Sequence, residues 1–159
     1  MRRTLIKSAI VISMDDAIGD LRTGDVLVEG KRIIDVRTGI ALGRGAAEAE
    51  IVDGTGRIVI PGLVNAHMHT WQTALRGYAA NWTLLEYFRR MHAGLATVFR
   101  PEDIYIATLV GALNQINCGT TTLVDWCHNN PTSDHTDAAV RGLIESGIRA
   151  AFLHGSPKP

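Results

Sequence analysis

Short runs rich in valine and isoleucine, each bounded by turn-forming residues, dominate the first sixty positions of the chain. Runs of this length and composition are typical of β-strands. The Glu29-Gly30-Lys31 segment lies between two such runs and predicts a tight hairpin. The pattern predicts a small sheet or half of a sandwich over residues 1–60, with strands at Thr4–Ser13, Asp25–Glu29, Lys31–Val36, Glu50–Val52 and Arg57–Ile60.

After Pro61-Gly62, strand-like and helix-like segments alternate along the chain. The expected strands are Leu63–Ala66, Thr120–Asp125 and Ile148–Leu153, and the expected helices are Thr83–Val98, Pro101–Asn117 and Asp134–Ser146. Continuous alternation of this kind predicts βαβ units and a parallel sheet. The strands are largely apolar, as in sheets that are covered on both faces. We therefore expect an α/β fold, with residues 61–159 forming three successive βα units.

Composition narrows the classes of partner. Sixteen basic and sixteen acidic residues give a formal net charge of zero, so nothing indicates a nucleic-acid or membrane surface. No run approaches the ~20 apolar residues of a membrane span, and Lys7 interrupts the only apolar run near the N-terminus. The two cysteines form no disulfide framework. These features favour a cytoplasmic protein that acts on a small molecule.

The segment Pro61-Gly62-Leu63-Val64-Asn65-Ala66-His67-Met68-His69 carries the clearest chemical pattern. Residues two apart on a strand point to the same face, roughly 6.6 Å apart along it, so His67 and His69 could converge on one metal ion. About 0.2 such pairs are expected by chance from this histidine content, and two hydrogen-bonded histidines at a strand end are the alternative. The position of the pair, at the C-terminal end of the first strand of a βα series, favours a site.

This segment, with Gln72 and Leu75-Arg76-Gly77 after it, resembles the amidohydrolase superfamily. The resemblance is closest to the branch that contains cytosine deaminase, S-adenosylhomocysteine deaminase and triazine chlorohydrolase. Two further segments are similar to that branch: 118–125, Cys-Gly-Thr-Thr-Thr-Leu-Val-Asp, to its second barrel strand, and 53–60, Asp-Gly-Thr-Gly-Arg-Ile-Val-Ile, to its last segment before the barrel. Together these motifs cover essentially the whole chain.

The resemblance implies a (β/α)₈ TIM-type barrel with a small β-sandwich built from both chain ends. It implies one divalent metal, zinc or alternatively iron, held by the His-x-His pair, by one histidine each from strands five and six, and by an aspartate from strand eight. The implied reaction is hydrolysis of non-peptide carbon–nitrogen bonds, most simply deamination of a heterocycle by a metal-bound hydroxide. Hydrolytic dehalogenation of the triazine type, cyclic amide hydrolysis and a non-catalytic metal-binding remnant are the alternatives.

Several other residues are candidates for substrate contact. Gln72 follows the pair in the loop above the expected barrel. The resemblance implies a polar substrate contact there, and simple solvation of the loop is the alternative. Trp82 and Tyr87, with Trp71, could form an apolar wall for a planar ring, and packing of the first helix is the alternative.

His128 and His154 each follow an expected strand and could line the pocket or simply be solvated. For His92, His135, Arg76 and Asp125 we expect structural roles. Family members that act on adenosine-like compounds tend to carry an acidic ribose contact near position 96, where this sequence has Ala96.

A complete barrel needs ~250 residues, whereas this sequence stops at Pro159, just after the third expected strand. The resemblance therefore implies that the general base and the remaining ligands lie beyond Pro159. We expect this chain alone to be inactive and prone to aggregation, since an open sheet edge would be exposed. For the full-length protein we expect a homo-oligomer, either a dimer or a tetramer.

Overall fold

The computed structural model describes residues 2–42 and 49–155, which form a mixed α/β chain. The chain divides into two compact units, Met1–Pro61 and Gly62–Pro159. Among the described residues, none of the helices combines the length and hydrophobicity that crossing a membrane requires.

The described strands of the first unit form one sheet. They are β1 (Arg3–Ile12), β2 (Asp20–Glu29), β3 (Arg32–Arg37), β4 (Ala49–Asp53) and β5 (Ile58–Val59). The order is β3-β2-β1-β4, with β5 also paired to β1. The predicted hairpin is confirmed, because Glu29 pairs with Arg32 in antiparallel register and Gly30 takes the left-handed conformation, with a φ of 59°. Ala9, Val11 and Val26 form the buried core.

The second unit contains a parallel sheet of β6 (Leu63–Met68), β7 (Thr120–Cys127) and β8 (Arg149–His154), in that order. The predicted parallel pairing is therefore confirmed. In β7 the burial alternates with the pleat, so that Leu123, Asp125 and Cys127 are fully buried. Leu123 packs with Ala112 and Leu143, which come from two helices on that face of the sheet. The alternation leaves the intervening side chains of β7 on the opposite face.

Two helices cover the buried face of this sheet. Helix α2 (Pro101–Asn117) begins with proline at its first turn, followed by Glu102 and Asp103, as its sequence predicts. Helix α3 (Ser133–Ser146) ends at Gly147, whose φ of 78° is the left-handed conformation that favours glycine. A short helix, α1 (Leu84–Tyr87), precedes both of them in the chain.

The single helix predicted over Thr83–Val98 is wrong. Helix α1 passes into a π-helical turn at Phe88–His92, and a separate 3₁₀ turn covers Leu95–Val98. A break falls at Gly94, where a side-chain Cβ would lie 2.4 Å from the carbonyl oxygen of Arg90. The helical periodicity of the apolar residues gave no indication of this close approach. Another 3₁₀ turn, Thr70–Leu75, directly follows β6.

Some element boundaries also differ from those predicted. Strand β2 begins at Asp20, five residues before the predicted start, because Asp20 and Leu21 pair with the end of β1. Strand β6 runs through His67 to Met68, whereas the sequence predicts an end at Ala66. The extension matters for the site, since it gives His67 strand geometry.

Candidate metal centre

His67 and His69 lie at the C-terminal end of β6 and bring their imidazoles together. The two Nε2 atoms are 3.2 Å apart. The ring centroids are 4.9 Å apart and the planes meet at 82°. His67 is exposed and His69 half-buried, so both rings reach the surface of the unit.

The separation of the two nitrogens fits shared coordination of one ion. An ion about 2.05 Å from both Nε2 atoms, which are 3.2 Å apart, would subtend an angle of about 103° between them. A tetrahedral zinc site has angles of about 109°. Two imidazole donors are also the ligand type that zinc and iron accept. The pair therefore fits half of a mononuclear metal site, and without an ion the same separation allows a hydrogen bond between the two rings.

The backbone of β7 orients one member of the pair. His69 Nδ1 lies 2.6 Å from the carbonyl oxygen of Trp126. Because a carbonyl oxygen only accepts, Nδ1 carries the hydrogen and donates it, and Nε2 of the neutral ring keeps its lone pair. This is the arrangement by which proteins fix the tautomer of a metal-binding histidine.

The pair opens into a cavity of about 230 Å³. Aromatic and imidazole rings make up nearly all of its described lining, which consists of His67, His69, Tyr87, Phe88, His92, Trp126, His128 and Gly155. The volume is just below the ~300–1,000 Å³ usual for ligand pockets. Its walls present flat, largely apolar surfaces beside two nitrogen donors.

A buried tryptophan fixes His128 on one side of this cavity. The indole N–H of Trp71 donates to Nδ1 of His128 at 3.2 Å, and Trp71 itself is fully buried. The ring centroids of His128 and His69 are 4.2 Å apart. Trp71 is therefore a packing residue that orients the cavity wall through His128.

A second polar network surrounds the hydroxyl of Tyr87 and adjoins the first, since the ring centroids of His92 and His128 are 4.6 Å apart. The Gln72 side-chain amide donates to this hydroxyl at 2.5 Å, and His92 Nε2 lies 3.0 Å from it. The π-helical turn brings Tyr87 and His92, five residues apart, onto the same side. Gln72 thus reaches the cavity through Tyr87.

Asp125 lies beneath the site and ties the end of β6 to β7. Its two carboxylate oxygens accept from the backbone N–H of Thr70, at 2.9 Å, and from the Thr70 hydroxyl, at 2.7 Å. Burial raises the pKa of Asp125, although the two bonds from Thr70 oppose that shift. Burial likewise raises the pKa of the neighbouring Cys127 thiol to about 12. Because Thr70 directly follows His69, Asp125 is a structural anchor for the histidine pair, as expected.

Comparison with known proteins identifies the family of this chain. The family model described as the amidohydrolase family matches residues 58–158, which include the whole βα region and the histidine pair. The chain belongs to the amidohydrolase family.

Individual amidohydrolase relatives are similar along almost the whole chain. The chain is 31% identical over 98% of its length to a 5'-deoxyadenosine deaminase from Methanosarcina acetivorans. It is 33% identical, over the same share, to a 5-methylthioadenosine/S-adenosylhomocysteine deaminase from Pelotomaculum thermopropionicum. A variant of the atrazine chlorohydrolase from Arthrobacter aurescens, solved with zinc and atraton, superposes with a TM-score of 0.81 at 27% identity, over 95% of this chain and 35% of that one. The chain spans about a third of the length of the curated relatives, 34% of each.

The structure does not bring all the sequence-predicted residues of this amidohydrolase chain to one cavity. Tyr87 and His128 line the cavity beside the histidine pair, while Gln72 reaches the cavity only through its bond to Tyr87.

Trp82 and His154 do not line this cavity. Trp82 packs against the core, with the Arg90 guanidinium 5.4 Å from its ring centroid. His154 lies elsewhere, with Nε2 3.2 Å from the Thr136 hydroxyl. In the described part of the chain no group of three or more histidine, cysteine or acidic side chains could hold a metal.

Sequence reasoning missed four cavity residues, Phe88, His92, Trp126 and Gly155. Phe88 and His92 reach the cavity through the π-helical turn, which has no distinct sequence periodicity. Trp126 could have been found, because the strand period that pairs His67 with His69 also places Trp126 on the face of β7 opposite Asp125 and Cys127. His135, in contrast, is buried in a structural role, between the Thr132 hydroxyl and the carbonyl oxygen of Phe99.

Proposed function

We propose that this chain supplies the first two ligands of a divalent metal in a hydrolase that deaminates a heteroaromatic substrate. The observation that carries the proposal is the histidine pair, with its Nε2 atoms 3.2 Å apart and with His69 held in the metal-binding tautomer by Trp126. A divalent ion bound by such ligands supplies a hydroxide nucleophile near neutral pH. Zinc is our first choice, since the similar chlorohydrolase structure contains it, and iron suits the same ligands.

The described residues have three tasks in this proposal. The carbonyl of Trp126 keeps Nε2 of His69 directed at the ion position, so that no reorientation is needed when the ion binds. Asp125 and Thr70 hold the end of β6 in place beneath it. The aromatic lining gives the substrate side apolar walls, and a substrate ring that covers them would displace water and strengthen the electrostatic interactions beside it.

The same proposal extends to the architecture. Because the chain spans only a third of its relatives, we propose that its three βα units are the beginning of a (β/α)₈ barrel and that residues 1–60 are one part of a composite β-sandwich. The general base and the later ligands would then come from strands outside this chain. In that barrel the C-terminal ends of β6, β7 and β8 would face the active-site mouth.

Deamination is favoured over dehalogenation by the relatives named as deaminases, which are 31% and 33% identical. Triazine dehalogenation is the second candidate, because the atrazine chlorohydrolase structure superposes over 95% of the chain. Both reactions use the same nucleophile and differ in the group that leaves.

The test uses the purified full-length protein that contains this chain. The protein is stripped with a chelator, reloaded with zinc or iron, and assayed for ammonia release from cytosine, guanine and 5'-deoxyadenosine and for chloride release from atrazine. We expect ammonia release that the chelator abolishes and the metal restores, and His135→Gln, which lies outside the cavity, should keep it. Chloride release alone would favour the second candidate, and metal-independent release of either product would contradict the proposal.

A further inference from the structure

We infer that Trp126 is a specificity-determining residue, whose indole forms the wall on which a planar, neutral heteroaromatic ring stacks beside the histidine pair. This inference rests on the proposed function, since it names the class of substrate that the site takes. No expectation from the sequence includes Trp126.

The pleat of β7 directs the Trp126 side chain toward the site. Its neighbours Asp125 and Cys127 are fully buried on the helix side, whereas Trp126 is 43% exposed on the other. Its ring centroid lies 5.5 Å from that of His67 and 5.8 Å from that of His69. A large aromatic ring is thus held partly open to solvent, next to both proposed metal ligands.

The chemistry of the surrounding wall indicates what such a ring would bind. Tyr87 and Phe88 line the same cavity, and among the residues described around it none is aspartate, glutamate, lysine or arginine. Flat apolar walls without a formal charge suit a neutral aromatic ring, which gains from offset stacking on an indole. The nitrogen atoms of a heterocycle could then face the imidazole edge of the cavity.

Gly155 lines the cavity and packs directly against this wall. A Cβ at residue 155 would lie 2.7 Å from Nε1 of Trp126 and 2.8 Å from Cβ of His128. The backbone N–H of Gly155 donates to the carbonyl oxygen of Cys127 at 2.7 Å, which holds the glycine in this position. Gly155 is therefore a positioning residue that acts through the indole and through His128.

The two parts of Trp126 have separable roles. Its carbonyl oxygen bonds to His69 Nδ1, while its side chain lines the cavity. Substitution of the side chain leaves the carbonyl in place, so variants at this position should keep the metal and lose only the stacking contact. Trp126→Phe retains an aromatic surface, and Trp126→Ala removes it.

The first measurement is steady-state kinetics of the full-length protein on the most active compound of the panel. We expect Trp126→Ala to raise KM about tenfold, in line with the loss of one base–aromatic stacking contact, with kcat and bound metal changed little. Trp126→Phe should restore most of the loss. Gly155→Ala should also raise KM, because the added methyl would displace the indole and His128.

The second measurement needs no turnover and so separates this inference from the proposed function. Guanine and atraton are titrated into chelator-treated protein and their dissociation constants are measured by calorimetry. We expect at least one of them to bind the wild-type protein, with affinity about tenfold weaker in Trp126→Ala and largely restored in Trp126→Phe. Unchanged KM in Trp126→Ala, or an unchanged dissociation constant in that variant, would overturn the role of Trp126 even if the protein is a metal-dependent deaminase. Loss of metal from Trp126→Ala would contradict the separation of the two roles.

Discussion

At the scale of single residues, the site depends on bonds that hold the histidines from behind. His69 donates to the Trp126 carbonyl, and Thr70, the next residue, donates its backbone N–H and its hydroxyl to Asp125. The sequence predicts that the two histidines lie together, because the strand period places both on one face at the C-terminal end of β6. It does not predict the bond between His69 and Trp126, because that depends on the register between β6 and β7.

Asp125 offers a test of this anchoring. In Asp125→Ala the buried N–H of Thr70 loses its acceptor, and a buried polar group left without a partner costs about 1–3 kcal/mol. We expect the free energy of unfolding to fall by that amount in urea denaturation of the full-length protein. Asp125→Asn keeps one carbonyl acceptor and should lose less.

The matched control is Asp137→Asn, at an exposed position of α3. It should change the unfolding free energy by no more than about 0.5 kcal/mol. If Asp125→Ala stays within the same range as this control, the carboxylate does not anchor β6.

At the scale of elements, local pattern predicts the strands and the two long helices but not the segment before α2. The parallel strands follow from alternation of β and α segments, the start of α2 follows from Pro101, and the end of α3 follows from Gly147. The segment 84–98 follows no single period, because a π-helical turn and Gly94 interrupt it. Tyr87 and His92 are in contact because of that irregularity, so this part of the cavity was not predictable from helical spacing.

The N-terminal cap of α1 should control the stability of this irregular segment. The Thr83 hydroxyl accepts from the backbone N–H of Glu86 at 3.3 Å, and the Glu86 carboxylate accepts from the backbone N–H of Thr83 at 2.8 Å. Replacement of a threonine cap by alanine costs about 1 kcal/mol. We expect Thr83→Ala to speed tryptic cleavage after Arg89 and Arg90 about fivefold.

Cleavage after Arg141, an exposed residue of α3, serves as the internal reference in the same digest. It should keep its wild-type rate, because the cap acts only on α1 and the turn that follows. Equal acceleration at both places would indicate a general loss of stability, and no acceleration at either would show that the cap contributes nothing.

At the scale of the whole molecule, the chain is an amidohydrolase segment with two compact units. The family was recognisable from the sequence because its motifs follow one another along the entire chain. Apolar residues at the edges of the parallel sheet are exposed, among them Leu63 and Val64 in β6 and Leu153 in β8. We propose that further βα units cover these edges in the full-length protein. On this proposal, the further units would also supply the rest of the substrate pocket.

The most direct test of the account is the metal content of the full-length protein and its histidine variants. We expect about one divalent ion per wild-type and per His135→Gln chain. The loss of even an outer partner of a ligand typically weakens metal affinity about 10–100-fold, so loss of a ligand itself should cost at least as much. His67→Ala and His69→Ala should therefore each be nearly metal-free after dialysis, with both variants still folded by circular dichroism. A full equivalent of metal retained by both variants would contradict the assignment of this pair as ligands.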